Sequence, residues 1–298
     1  MSTIWATIVS SVQRLATARP GYVLAALLLY VASLFIVGAR WRGFLRSIGG
    51  EVGVWRATLA TLGGIAIGNL MPSGRVGGEA CRIALVRRSG AVTWRQATIA
   101  AVWDRLSEVP SILVLAVMAV FAVRDLGSTG RTLAAAGGMA AVLIAGGLAL
   151  RGLRRSDSRL AGLWDRLALD QINARVFAAG MGYSLLLGFQ DVLRLMCACL
   201  AFGVVLSPTM IATLSILTMI GGLVPSIGGL GPVEGSLVAG LVAFGIDLPT
   251  AAAITAAERL ISYGFSTLSG AVVVALMGGR SLWNAARRRP ASEGPLLP

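Results

Sequence analysis

"PSGRVGGEACR", residues 72–82, interrupts a chain made mostly of Ala, Leu, Val and Ile. One proline, three glycines, one glutamate and two arginines stand where continuous apolar helix would otherwise run. A related stretch, "PSIGGLGPVEG", residues 225–235, returns in the second half. Whether these breaks are loops between full spans or turns within the membrane decides the fold.

The chain around them is membrane-like. Of 298 residues, 56% are hydrophobic and only 13% charged, with mean hydropathy +0.80. A soluble domain carries about 25% charged residues. The apolar runs show no strand-like alternation, so they predict an all-α polytopic membrane protein and not a β-barrel. Immediately before the first break, "ATLATLGGIAIGNLM", 57–71, reaches only about 22 Å as a helix. That is too short for a hydrocarbon core of roughly 30 Å. The arginines of 40–56 and of 82–95 flank it on both sides. If basic loops share one face of the membrane, this segment enters and leaves without crossing, as a re-entrant helical hairpin. The segment 236–245 is also too short to span and predicts a second hairpin, entered by 208–224 and left by 236–245.

About five full spans remain: 21–39, 97–123, 132–150, 176–206 and 250–279. The expected organisation is a single membrane domain, 1–298. It comprises an interfacial amphipathic helix at 1–20, a first repeat at 21–123, a connecting span at 132–150, a second repeat at 175–279 and a disordered tail at 290–298. In the N-terminal stretch, Ile4, Ile8, Val12 and Leu15 recur at helical spacing until Pro20. It lacks the pattern of a cleaved leader. Arg40, Arg42 and Arg46 read as markers of the cytoplasmic face. The C-terminus is placed on that face and the N-terminus on the outer one, in the cytoplasmic (inner) membrane.

The net charge of +13 comes from arginine alone, since there is no lysine. These arginines sit in short loops between apolar runs, which is topogenic patterning rather than a nucleic-acid footprint. There is no histidine, so histidine-ligated zinc or haem and histidine-dependent nucleophiles are excluded. Cys81, Cys197 and Cys199 have no metal-site spacing. No metal or cofactor is expected.

The breaks extend into a repeat. Each half has Pro-Ser, a glycine-rich turn, a glutamate and then acid-Arg-Leu, in "WDRLSE" and "AERLIS". Pro72 precedes Arg105 by 33 positions and Pro225 precedes Arg259 by 34. The odd connecting span lets the second copy enter from the opposite face. That is an inverted-topology repeat, a plan common among secondary transporters.

"NLMPSGRVGGEACRIALVRRSG" with "AAVWDRL", and "VPSIGGLGPVEG" with "AERLISYG", resemble the lysylphosphatidylglycerol synthase transmembrane-region family, also called the flippase-like or UPF0104 family. The resemblance covers about residues 15–278. Members usually carry one more N-terminal span, whose place the segment 3–17 takes here. In bifunctional members this domain translocates an aminoacylated phospholipid made by a separate soluble domain, which this sequence lacks. The resemblance therefore implies translocation of a lipid or lipid-linked substrate, without naming the lipid.

Charged side chains at bilayer depth need a cavity or a partner. The candidates are Arg75, Glu79, Arg82, Asp104, Arg105, Asp191, Arg194, Glu234, Glu258 and Arg259. The hairpin tips are assigned to Pro72, Ser73, Gly74, Gly77 and Gly78, and to Pro225, Ser226, Gly228, Gly229 and Gly231. Arg75, Arg105 and Arg259 suit a lipid phosphate, because guanidinium offers it paired donors. Glu79 and Glu234 suit holding those arginines or taking a coupling proton or cation. The competing reading makes each acid–arginine set a structural ion pair. Gln190, Asp191 and Arg194 share a helix face, as a cavity lining or an interhelical bond. Glu108 reads as solvated. The expectation is a lipid flippase and not an enzyme. The alternatives are an ion-coupled carrier of a small anion and an intramembrane transferase acting on lipid-linked substrates.

Overall fold

The computed structural model describes residues 13–71, 74–88, 90–122, 173–222, 224 and 226–287. Among them every regular element is helical: α1 Pro20–Ser47, α2 Val54–Leu70, α3 Gly74–Arg87, α4 Trp94–Leu106, α5 Val109–Ala122, α6 Ala174–Ala201, α7 Pro208–Gly221, a 3₁₀ turn Ile227–Gly229, α8 Pro232–Ala243, α9 Leu248–Arg259, a π segment Leu260–Phe265 and α10 Ser266–Arg287. The connecting span 132–150 and the tail 290–298 lie outside the described residues. So does most of the amphipathic segment 1–20.

Local chemistry sets the helix starts. Pro20 and Pro208 occupy first turns, where their missing N–H leaves no bond unmade. Pro20 thus opens α1 as well as closing the segment before it. Thr93 and Gln96 form a reciprocal capping box on α4. Asp247 caps α9 by accepting from the Thr250 N–H at 3.2 Å.

Three helical stretches, Pro20–Ser47, Ala174–Ala201 and Leu248–Gly278, are long and apolar enough to cross a membrane. Their outer faces keep large apolar side chains exposed, among them Leu28, Phe189, Leu268, Val272 and Leu276. Such faces suit lipid, which solvates them without penalty. The expected span 97–123 is not one helix: α4 ends at Leu106, and the chain turns at Ser107 and Glu108 before α5. Ser107 there turns its hydroxyl back onto the Asp104 carbonyl, at 2.7 Å.

The two halves have the same element order. A long helix (α1, α6) precedes a packed pair of short helices (α2–α3, α7–α8) and then an interrupted helix (α4–α5, α9–π–α10). The long helices pack on each other. Packing also crosses between halves in matched fashion, α10 on α2 and α5 on α7. The 3₁₀ turn of the second pair rests on α2 and α3 of the first.

The α2–α3 pair is a close approach of backbones. A Cβ on Gly78 would lie 2.7 Å from the Gly64 carbonyl, and one on Gly64 would lie 2.7 Å from that of Gly78. Small residues permit this spacing in membrane interfaces. Gly74, Gly77 and Gly78 lie in α3, with Gly74 as its first residue. In the second half, Gly228 and Gly229 do form the turn, and Gly231 adopts φ +92° just before α8.

Candidate functional site

Charged side chains gather into two networks, one per half. The first is built on Arg40, the first charged residue of α1. Its side chain is 1% exposed. Nε donates to Asp104 Oδ1 at 2.8 Å, one Nη to Ser184 Oγ at 2.7 Å and the other to Glu108 Oε1 at 2.7 Å. Asp104, wholly buried on α4, accepts on its other oxygen from Arg82 of α3 at 2.8 Å. The Arg82 guanidinium lies over the Trp41 ring, 3.9 Å from its centre. Arg105 pairs with Glu79 and donates to both Glu108 oxygens at 2.8 and 3.1 Å. Three arginines thus face three carboxylates.

These placements correct two expectations. Arg40 is not a loop marker of the membrane face, because α1 continues through it to Ser47 and turns it inward. Glu108 is not simply solvated; the turn at 107–108 aims it at Arg40 and Arg105.

The second network joins α6, α8 and α9. Arg194 pairs with Asp191 on its own helix and with Glu258. Arg259 Nε donates to Glu234 Oε1 at 2.6 Å. The other Glu234 oxygen accepts from the Gly231 N–H at 2.6 Å and so holds the start of α8. The Ser262 hydroxyl donates to Glu258 Oε2 at 3.3 Å. Arg259 lies over the Tyr263 ring at 5.0 Å. The Tyr263 hydroxyl donates in turn to the Asn69 carbonyl at 3.1 Å, three positions before the first Pro-Ser motif. Here three carboxylates face two arginines.

The networks correspond position by position. Arg194 follows Arg40 by 154 residues, as Glu258 follows Asp104, Arg259 follows Arg105 and Ser262 follows Glu108. Ser184 also follows Tyr30 by 154. Arg40 reaches across to Ser184, and Arg194 lies 5.7 Å over Tyr30, so one cross-half contact occurs twice with roles exchanged. Glu234 follows Glu79 by 155; at that offset Arg82 corresponds to Leu237, buried and apolar.

Of the sequence-derived candidates, the structure brings Glu79, Arg82, Asp104 and Arg105 together, and separately Asp191, Arg194, Glu234, Glu258 and Arg259. Gln190 stands apart from them: its amide donates to the Leu29 carbonyl at 2.6 Å, an interhelical bond. Arg75 sits in the first turn of α3, but its side chain lies outside the described residues, as do Pro72, Ser73 and Pro225. Ser226 donates to the Val224 carbonyl. Sequence reasoning missed Arg40, Tyr30, Ser184, Tyr263 and Asn69. The 154-residue step would have paired Arg40 with Arg194, which the sequence had already singled out.

The family model described as "Lysylphosphatidylglycerol synthase TM region" matches residues 3–270. A UPF0104 membrane protein of Methanothermobacter thermautotrophicus is 27% identical over 295 residues, covering 88% of this chain and 87% of that protein. A UPF0104 membrane protein of Pyrococcus horikoshii is 24% identical over 311 residues, covering 91% of each.

Proposed function

Because this chain belongs to the lysylphosphatidylglycerol synthase TM region family, we propose that it translocates a lipid or lipid-linked substrate with an anionic headgroup across the cytoplasmic membrane. In this reading the pairs α2–α3 and α7–α8 are re-entrant hairpins of an inverted-topology repeat, with the C-terminus cytoplasmic and the N-terminus outside. The 154-residue step and the exchanged Arg40–Ser184 and Arg194–Tyr30 contacts support it. So does the seating of the second turn on α2 and α3.

The observation that carries the proposal is the pair of matched acid–arginine sets, Glu79–Arg105 and Glu234–Arg259, on membrane-family helices. Arg105 keeps about half its side chain exposed (53%), so its guanidinium is within reach of an incoming group. A headgroup phosphate offers the same paired acceptors as a carboxylate. Arg105 and Arg259 exchange glutamate for phosphate, and Arg75 at the start of α3 adds donor capacity. Acyl tails stay in lipid while the headgroup passes. Exposure alternates as the two halves rock about the α1–α6 contact. A coupling proton belongs in the second network, which has one more carboxylate than arginine. No bond in the substrate is made or broken, so the protein is a transporter and not an enzyme.

Proteoliposomes with fluorescent lipids in both leaflets test this directly. Purified protein is expected to make inner-leaflet anionic lipid accessible to a membrane-impermeant quencher faster than protein-free vesicles do. Uptake of a soluble anion without lipid movement would favour a carrier. Conversion of a lipid-linked substrate in detergent would favour a transferase. Either result with no lipid movement sinks the proposal.

A further inference from the structure

A cavity of about 520 Å³ lies outside both networks, where α3 passes into α4. Arg87, Gly90, Val92, Thr93, Trp94 and Arg95 line it. Both lining arginines are exposed, none of these residues is acidic, and Trp94 is 50% exposed. The Arg87 guanidinium lies 4.9 Å over the Trp94 ring, which holds one wall of the cavity in place.

The depth of the cavity follows from two tethers. Gln96 donates to the Ile48 carbonyl at 2.8 Å, fixing the start of α4 at the end of the spanning helix α1. Arg88 donates to the Met277 carbonyl at 2.9 Å, near the end of the Leu248–Gly278 span. The cavity therefore sits beside the ends of two helices long and apolar enough to span a membrane, where a headgroup layer would lie. Exposed tryptophan favours that layer, and basic pockets between membrane helices attract anionic headgroups.

The second half shows that the fold does not demand this chemistry. At the 155-residue step of α3 Arg87 becomes Val242, and at the 154-residue step Thr93, Trp94 and Arg95 become Asp247, Leu248 and Pro249. The cap position is kept, but both arginines and the tryptophan are gone and an acid stands in the cap. Among the described residues this pairing of arginines with tryptophan is not repeated at the equivalent positions.

We propose that this cavity binds the phosphate of an anionic phospholipid of the adjacent leaflet as a resident lipid, separate from the transported one. Arg87 and Arg95 offer donors to the phosphate and Trp94 packs beside the glycerol region. The proposal does not depend on what the two networks transport.

Native mass spectrometry of the full chain in detergent, titrated with phosphatidylglycerol, phosphatidylcholine or inorganic phosphate, reads the site out. Wild type is expected to retain phosphatidylglycerol at least about tenfold better than phosphatidylcholine. Arg87→Gln with Arg95→Gln should abolish that preference. Arg46→Gln, an exposed arginine in the last turn of α1, should keep it. Equal retention of the two lipids by wild type would overturn the proposal, as would equal weakening by Arg46→Gln. Displacement of the lipid by inorganic phosphate at matched concentration would assign the site to free phosphate and overturn the lipid assignment.

Discussion

Arg40 and Arg105 belong to one network but differ in exposure, and the difference separates a structural role from the proposed transport role. Arg40 is enclosed and satisfies Asp104, Glu108 and Ser184 at once. Removing one partner of a buried pair leaves an uncompensated charge, so Arg40→Ala is expected to destabilise the fold by about 3–5 kcal/mol. Arg40→Lys should recover little, because a single ammonium does not span three acceptors in a fixed fork. Arg105 is half exposed, and Arg105→Ala should cost only about 1 kcal/mol or less while stopping lipid movement. Thermal unfolding in detergent beside the vesicle assay checks both; a folded, transport-competent Arg40→Ala would refute the first. Glu79 with Arg105 and Glu234 with Arg259 were legible as matched spacings around two unusual motifs. Arg40 was not. In "GARWRGFLR" it stands beside Arg42 and Arg46, and charge density there looks like a loop. Only the 28-residue length of α1 turns that arginine toward its partners.

Helix ends and close approaches hold these side chains in register. The Gly64–Gly78 contact sets the distance between α2 and α3, and α3 carries Glu79 and Arg82. Gly78→Leu should force the pair apart, cost at least about 1–3 kcal/mol and lower the unfolding temperature. An unchanged temperature would mean that the pair is loosely packed. Asp247 is the counterpart of Thr93, and both cap the helix that carries the acid-Arg motif. The Thr250 hydroxyl and N–H hold the Asp247 carboxyl below the usual carboxylate range, with Arg14 3.7 Å away. Its contribution is complete above the ordinary aspartate value of about 3.9 and is lost as pH falls through the lowered one. Asp247→Ala should cost about 1 kcal/mol at neutral pH and progressively less in acid; a pH-independent difference in unfolding would contradict this. The short apolar runs fall in two packed helical pairs, α2–α3 and α7–α8. The turn at 107–108 is marked by Pro110, which has no N–H to give the Leu106 carbonyl and so ends a continuous helix, whereas the π segment at 260–265 contains no proline or glycine pair. The π segment follows directly on Glu258 and Arg259, and Glu258, like Asp104 before the first interruption, is buried.

At the scale of the molecule, each half completes the other. Arg40 borrows Ser184 and Arg194 lies against Tyr30, so neither network is whole without the opposite long helix. If the halves are inverted and the pairs re-entrant, cysteines placed by Ser73→Cys and Ser226→Cys should resist a bulky impermeant reagent from both sides. Full labelling of the two from opposite faces would argue for ordinary loops. If the halves are inverted, the proposed lipid cavity beside Arg87 and Arg95, with Asp247 at the position equivalent to Thr93, predicts different lipid preferences on the two faces. The most direct measurement compares the rate of anionic-lipid translocation for wild type, Arg105→Gln and Arg259→Gln in vesicles of identical composition. If the two networks form one path, each substitution should slow translocation at least about tenfold, the effect of losing a paired charge-assisted contact, with both variants still folded. Wild-type rates in both would contradict the account.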